Sequence, residues 1–210
     1  MTERWEERKL QAWNRMWEDL HIGYLDEDIL DVLVEIFLRP GLYPKSSCSG
    51  RITVIDSEYP WAKEDTMTIF KKHAPVTVEE VDAVARKPFA HRLWLSAQGP
   101  IYHVYAQDVD AASELLAAAR EAGFKHSGVM VLGSMPLVEL RTGIRGDLLL
   151  ATRRHRILDG DALREAVAVV NDILAQAKER NRRLLAALRR RRPPRLWGPA
   201  VEKARELGIL

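Results

Sequence analysis

Apolar side chains recur at helical spacing through residues 5–20, at Leu10, Trp13, Trp17 and Leu20, with charged residues between them. This predicts an amphipathic first helix. A second helix is expected over residues 26–38, opened by the acidic run Asp26-Glu27-Asp28 and stopped by Pro40-Gly41. The pattern then changes. Residues 45–50 are small and hydroxyl-rich and read as a connection, whereas residues 51–55 alternate as a strand does. Further short strands are predicted at 67–71, 92–95, 100–105, 129–132, 137–141 and 148–152. Between them come a helix over 77–86, opened by a capping box of Thr77 and Glu80, and an alanine-rich helix capped by Asp108 and closed at Gly123. A long helix over 159–191 ends at Pro193-Pro194, and a short one over 199–207 follows. Strands mixed with helices, without regular alternation, predict an α+β fold.

Composition bounds the class. The 210 residues are 47% hydrophobic, enough for one domain with its own core. No apolar run approaches the roughly 18 residues of a spanning helix. The opening Met1-Thr2-Glu3-Arg4-Trp5 lacks the hydrophobic region of a secretion signal, so a soluble, cytoplasmic protein without a membrane partner is expected. Cys48 is the single cysteine and can form neither an internal disulfide nor a thiolate zinc site alone. The net charge of +2 conceals a local excess: nine basic residues and one acid lie between Lys178 and Arg195, leaving −6 on the rest. Such a tract is the footprint of a polyanion, and nucleic acid is the commonest one inside cells. The simplest division is a domain over 1–188 and a basic C-terminal arm over 189–210, with Trp197 available for stacking.

The chain lacks the glycine-rich dinucleotide fingerprint, the phosphate loop, the helical zinc pair and the nucleophile elbow. No two histidines stand four apart, so no metal site is expected. The distinctive stretch is Ser46-Ser47-Cys48-Ser49-Gly50-Arg51, where small polar side chains and a glycine let the backbone approach a ligand and Arg51 can hold an anion. A plain polar connection is the competing reading. His103 lies on a strand beside Ile101 and Tyr105 and His73 lies past a strand end; either is a pocket residue or an ordinary structural histidine. Arg189, Arg190, Arg191 and Arg192 either bind phosphate or form a solvated face.

Taken in order, these pieces resemble the tRNA wybutosine-synthesizing protein 3 family over about 185 residues. The resemblance rests on the Ser46-Ser47-Cys48-Ser49-Gly50-Arg51 hexapeptide, Gly99-Pro100-Ile101-Tyr102-His103-Val104, Gly123-Phe124-Lys125-His126-Ser127-Gly128 and Arg141-Thr142. It implies an α+β fold with a curved mixed β-sheet, a half-barrel covered by helices. It also implies S-adenosylmethionine-dependent methylation of ring nitrogen N4 of a tricyclic guanosine derivative beside the anticodon of tRNA(Phe). Carried over by position, Ser46, Ser47, Cys48, Ser49, Gly50 and Arg51 would bind the cofactor, His73 or His103 would take the proton, and Ser127, Gly128 and Arg141 would meet the substrate base. Arg189 to Arg192 would grip the anticodon stem-loop, in a monomer or homodimer without metal. Two other classes stay open: a non-catalytic RNA-binding protein using only the basic arm, and a cysteine-dependent enzyme built on Cys48.

Overall fold

The first helix forms where it is predicted, but its predicted apolar face is only partly the buried one: Trp13 is buried, Trp17 and Leu20 are half-buried, and Leu10 is 44% exposed. In the computed structural model, which describes residues 2–62, 64 and 66–210, helix α1 (Thr2–His21) sinks Trp5, Trp13 and Met16 into a core together with the fully buried Lys9, while most of its other charged positions face solvent. A 3-10 turn over Glu27–Ile29 leads into α2 (Leu30–Phe37). The remaining elements are β1 (Leu42–Cys48), β2 (Arg51–Asp56), β3 (Met67–Lys72), α3 (Val78–Ala85), β4 (Arg92–Gln98), β5 (Ile101–Ala106), α4 (Val109–Glu121), β6 (Gly128–Val131), β7 (Leu137–Arg141), β8 (Arg145–Thr152), α5 (Gly160–Arg190) and α6 (Gly198–Glu206). The predicted starts of two helices are present. Thr77 and Glu80 form a reciprocal capping box on α3, and Asp108 accepts from the Ala111 amide at 2.8 Å on α4.

The α+β class holds. The strands form two four-stranded antiparallel sheets that are not closed into a barrel, in place of the single mixed sheet that the resemblance implied. At residues 49–50, 99–100 and 142–144 the chain passes from one sheet to the other.

The chain divides into two compact units, each discontinuous in sequence. Unit 1 comprises residues 1–49, 100–143 and 179–210, and unit 2 comprises 50–99 and 144–178. Unit 1 holds the sheet β1-β5-β7-β6. Its core gathers Trp13, Phe37 and Trp197, with ring centroids 5.1 Å apart for Trp13–Phe37 and 5.9 Å for Trp13–Trp197. Unit 2 holds the sheet β3-β2-β4-β8, packed through Val54, Leu95 and Leu150 with Val81 of α3 and Val170 and Leu174 of α5.

Two expectations from sequence are corrected here. Residues 45–48, read as a connection, belong to β1. It is an edge strand, which tolerates Pro44, and Lys45 and Ser46 face solvent, so its pattern lacks apolar alternation. Residues 189–210 pack within unit 1, and Trp197 is only 6% exposed, so its ring is part of the core and not a stacking surface.

Candidate functional site

The site is built from cross-strand register on the sheet of unit 1. Ser46 on β1 pairs with His103 on β5, His103 pairs with Glu139 on β7, and Glu139 pairs with Gly128 on β6. Directly paired residues project to the same face, so one row crosses all four strands. The next row on that face contains Cys48, Ile101 and Arg141. The opposite face carries Tyr102, Val104, Val138 and Leu140, all buried in the core. Alternation along β5 and β7 therefore sorts the apolar residues inward and leaves His103, Glu139 and Arg141 outward.

Within the first row the side chains are connected. Ser46 Oγ lies 2.8 Å from His103 Nδ1, and His103 Nε2 lies 3.2 Å from Glu139 Oε2. An ionised carboxylate can only accept, so in the neutral imidazole Nε2 carries the proton and Nδ1 accepts from the Ser46 hydroxyl. A proton leaving Ser46 can thus pass to His103, and Glu139 compensates the imidazolium that results.

The end of β1 is fixed from beneath. The Ser49 amide donates to Asp26 Oδ2 at 2.8 Å, and the Ser49 carbonyl accepts from Asn181 Nδ2 at 2.9 Å. Asn181 Oδ1 in turn accepts from the Tyr102 hydroxyl at 2.7 Å. Tyr102 is fully buried, and desolvation raises its pKa well above the ordinary value, so its hydroxyl stays a donor. Ser49 is buried and its amide is committed to Asp26, so it shapes the turn and offers no amide to a ligand.

Beside Ser46 and Ser47, unit 1 contains a cavity of about 480 Å³ bounded by α1, α2 and the middle of β1. Its polar lining includes Arg15, Asp19, Lys45 and both serines, and its rings include Tyr24, Tyr43 and Tyr105. Lys45 Nζ sits 5.7 Å from the Tyr105 ring centroid.

Ser127, expected at the substrate, makes two internal bonds: its hydroxyl donates to the Phe124 carbonyl at 2.8 Å and accepts from the Arg141 amide at 3.0 Å. It holds the approach to β6 against the end of β7. Gly128 opens β6, and the Arg141 side chain is exposed.

Three of the expected residues lie in unit 2. Gly50 has φ of 98°, a left-handed conformation that suits glycine, and begins the turn into β2. Arg51 Nε donates to Gln98 Oε1 at 3.1 Å across the β2–β4 pairing. His73 follows β3, whose last residue Lys72 pairs with Ile52, so it lies at the β2 end that Arg51 begins.

The profile of the Methyltransferase TYW3 family matches residues 7–190. The chain belongs to this family. It is 43% identical over 178 residues to the tRNA(Phe) 7-((3-amino-3-carboxypropyl)-4-demethylwyosine(37)-N(4))-methyltransferase of Saccharolobus solfataricus, covering 84% of this chain and 85% of the relative. A protein of the same name from Aeropyrum pernix is 36% identical over 163 residues, covering 77% of this chain and 86% of that one. The structure of PH1069 protein from Pyrococcus horikoshii superposes with a TM-score of 0.81 at 30% identity, over 89% of this chain and 97% of that one.

Within this TYW3 frame, sequence reasoning missed Glu139, Asp26 and Asn181. A glutamate on a half-exposed strand reads as solvated surface until the β5–β7 register is known. Asp26 reads only as a helix-start acid, although it accepts from an amide 23 residues away. The unit 1 residues Ser46, His103 and Glu139 come together, whereas Arg51 and His73 are placed by the sheet of unit 2.

Proposed function

We propose that this protein methylates ring nitrogen N4 of the 4-demethylwyosine-type base at position 37 of tRNA(Phe), with S-adenosylmethionine as the methyl donor. The relatives of its TYW3 family carry that activity in their names, and the observation that supports the chemistry here is the Ser46–His103–Glu139 row.

The cavity beside β1 suits the donor in size and in chemistry. Its 480 Å³ lies within the usual range for small-molecule sites. The Asp19 carboxylate matches an ammonium group, Arg15 and Lys45 match a carboxylate, and the exposed ring of Tyr24 offers a face for a purine. Ser46 and Ser47 reach it from β1. Cys48 neighbours them on the strand, and its role is to line the site. When bound, the sulfonium supplies an electrophilic methyl group, and the new N–C bond forms as the S–C bond breaks.

The protein's own work is placement and proton removal. The proton lost by the ring nitrogen passes to Ser46 Oγ as the serine proton moves to His103 Nδ1, and Glu139 balances the imidazolium. His103 takes this role because it carries both an oriented hydroxyl and a carboxylate. Arg51, steadied through Nε by Gln98, offers its planar fork to the carboxylate of the substrate's amino-carboxypropyl arm. Arg141 and Gly128 border the base, and the arginines at 189–191 meet RNA phosphates. A non-catalytic RNA-binding role gives no account of the oriented Ser–His–Glu row.

Calorimetric titration of S-adenosylmethionine into the wild type and Ser47→Val, followed by methyl transfer to tRNA(Phe) carrying the unmethylated base, tests the reading. Saturable binding weakened by the substitution, with incorporation at N4, is expected. Absence of binding both with and without tRNA would overturn it.

A further inference from the structure

The turn after β2 presents an aromatic pair that the methyl-transfer chemistry does not use. Tyr59 and Trp61 stack with ring centroids 5.2 Å apart and planes 14° from parallel. Trp61 is 71% exposed and Tyr59 is 45% exposed. A tryptophan left this open forfeits the burial that its large apolar surface would supply.

The turn that carries the pair is held by the sheet of unit 2. Trp94 Nε1 donates to the Ser57 carbonyl at 3.1 Å, Arg92 Nη1 to the Glu58 carbonyl at 3.0 Å, and Arg145 Nη2 to the Pro60 carbonyl at 3.2 Å. Within the turn, Ser57 Oγ donates to the Tyr59 carbonyl at 2.8 Å and the Ala62 amide to the same oxygen at 3.0 Å. Three side chains from β4 and β8 thus anchor the carbonyls of residues 57, 58 and 60, so the rings stand on a built support. Arg92 Cζ also lies 5.3 Å from the Tyr59 ring centroid, placing a cation beneath the aromatic pair.

We infer that Tyr59 and Trp61 form a stacking platform for an unpaired nucleobase of the RNA substrate, on a turn braced by Arg92 and Arg145, which are themselves ion-paired with Glu58 and Asp147. Flat, exposed rings beside arginines are the surface that single-stranded RNA recognises, since every base offers a π-face. The RNA substrate of the proposed reaction supplies unpaired bases of this kind, which favours a nucleobase over an apolar protein segment. This inference rests on the tRNA reading above and deepens it: the platform takes a splayed base of the anticodon loop.

The test is fluorescence anisotropy with a labelled tRNA(Phe) anticodon stem-loop, an unstructured octa-adenylate and a blunt RNA duplex. Trp61→Ala is expected to weaken stem-loop and octa-adenylate binding about ten-fold and to leave the duplex unaffected. Trp61→Phe keeps most of the affinity, and the salt dependence is unchanged because stacking releases no counterions. Wild-type affinity in Trp61→Ala, or a wild-type chain that binds none of these RNAs, would overturn the platform. Loss of methyl transfer to tRNA with Trp61-dependent RNA binding intact would instead refute the proposed function and leave the platform standing.

Discussion

Ser46 Oγ and His103 Nδ1 meet at 2.8 Å across the β1–β5 pairing, on the face of the sheet that leaves them open to a ligand. Glu139 stands on the far side of the ring and fixes which nitrogen accepts. His103→Ala is therefore expected to lower kcat about 100-fold or more, with methyl-donor affinity near wild type. Glu139→Gln keeps a hydrogen-bonding group but removes the charge, so kcat falls less while KM for tRNA holds, and Glu139→Asp recovers part of the loss. Single-turnover rates beside equilibrium binding separate this positioning role from a structural one, which would lower binding and rate together.

Asn181 joins Tyr102 to Ser49, and it is buried. Asn181→Leu fills similar volume but strips a partner from the Tyr102 hydroxyl and from the Ser49 carbonyl. Leaving two such groups unsatisfied costs about 3 kcal/mol. The expected drop in Tm is about 6–12 °C, read by thermal unfolding. Tyr102→Phe with Asn181→Leu restores part of it, because one orphaned group is then gone.

Lys9 predicts a pH dependence of stability. It is fully buried on α1, donating to the Arg39 carbonyl and, at 3.2 Å, to the Pro40 carbonyl, with Trp197 4.6 Å away. Desolvation lowers its pKa from 10.5 to about 7, with Glu6 opposing and Arg39 assisting. Between those values the unfolded chain holds a proton that the folded chain has released, so stability rises with pH at up to about 1.4 kcal/mol per unit. Below about pH 7 both states are protonated and the full penalty remains. Urea midpoints at pH 7 and pH 9.5 are expected to increase for the wild type, and this increase is expected to shrink in Lys9→Met. An equal rise in both would show that Lys9 is charged when folded.

What was legible in the sequence was what neighbours decide. The helical span of α1, the Thr77–Glu80 box and the Asp108 cap each depend on residues three or four apart, whereas the buried face of α1, which takes in Lys9 and leaves Leu10 exposed, is set by the core it meets. The hexapeptide at 46–51 was conspicuous, but its strand was not, because β1 takes its order from pairing with β5 and not from apolar alternation. Glu139 was invisible for the same reason. The arginine tract looked almost devoid of acidic partners because those partners are remote: Glu121 meets Arg190 from 69 residues away and Glu35 meets Arg192 from 157.

Those partners separate four arginines that look equivalent in sequence. Arg192 donates to Glu35 through Nε and Nη2, at 3.0 and 2.6 Å, and the Glu35 side chain is fully buried. The hydrogen bond to Glu35 raises the pKa of Arg192. Arg192→Ala leaves that carboxylate to Arg39 alone and is expected to cost about 3 kcal/mol of stability. The side chains of Arg189, Arg190 and Arg191 are 40%, 60% and 50% exposed, and their pairs with Asp31 and Glu121 lie at the surface. Such pairs contribute little, so replacing all three by alanine leaves Tm nearly unchanged. If these three meet phosphates, the triple variant binds tRNA more weakly, and its affinity depends less on salt by about 0.7 to 0.9 in logarithmic slope per lost contact. Titrations of tRNA at several salt concentrations decide it: an unaltered slope in the triple variant would leave the tract a structural fastening centred on Arg192.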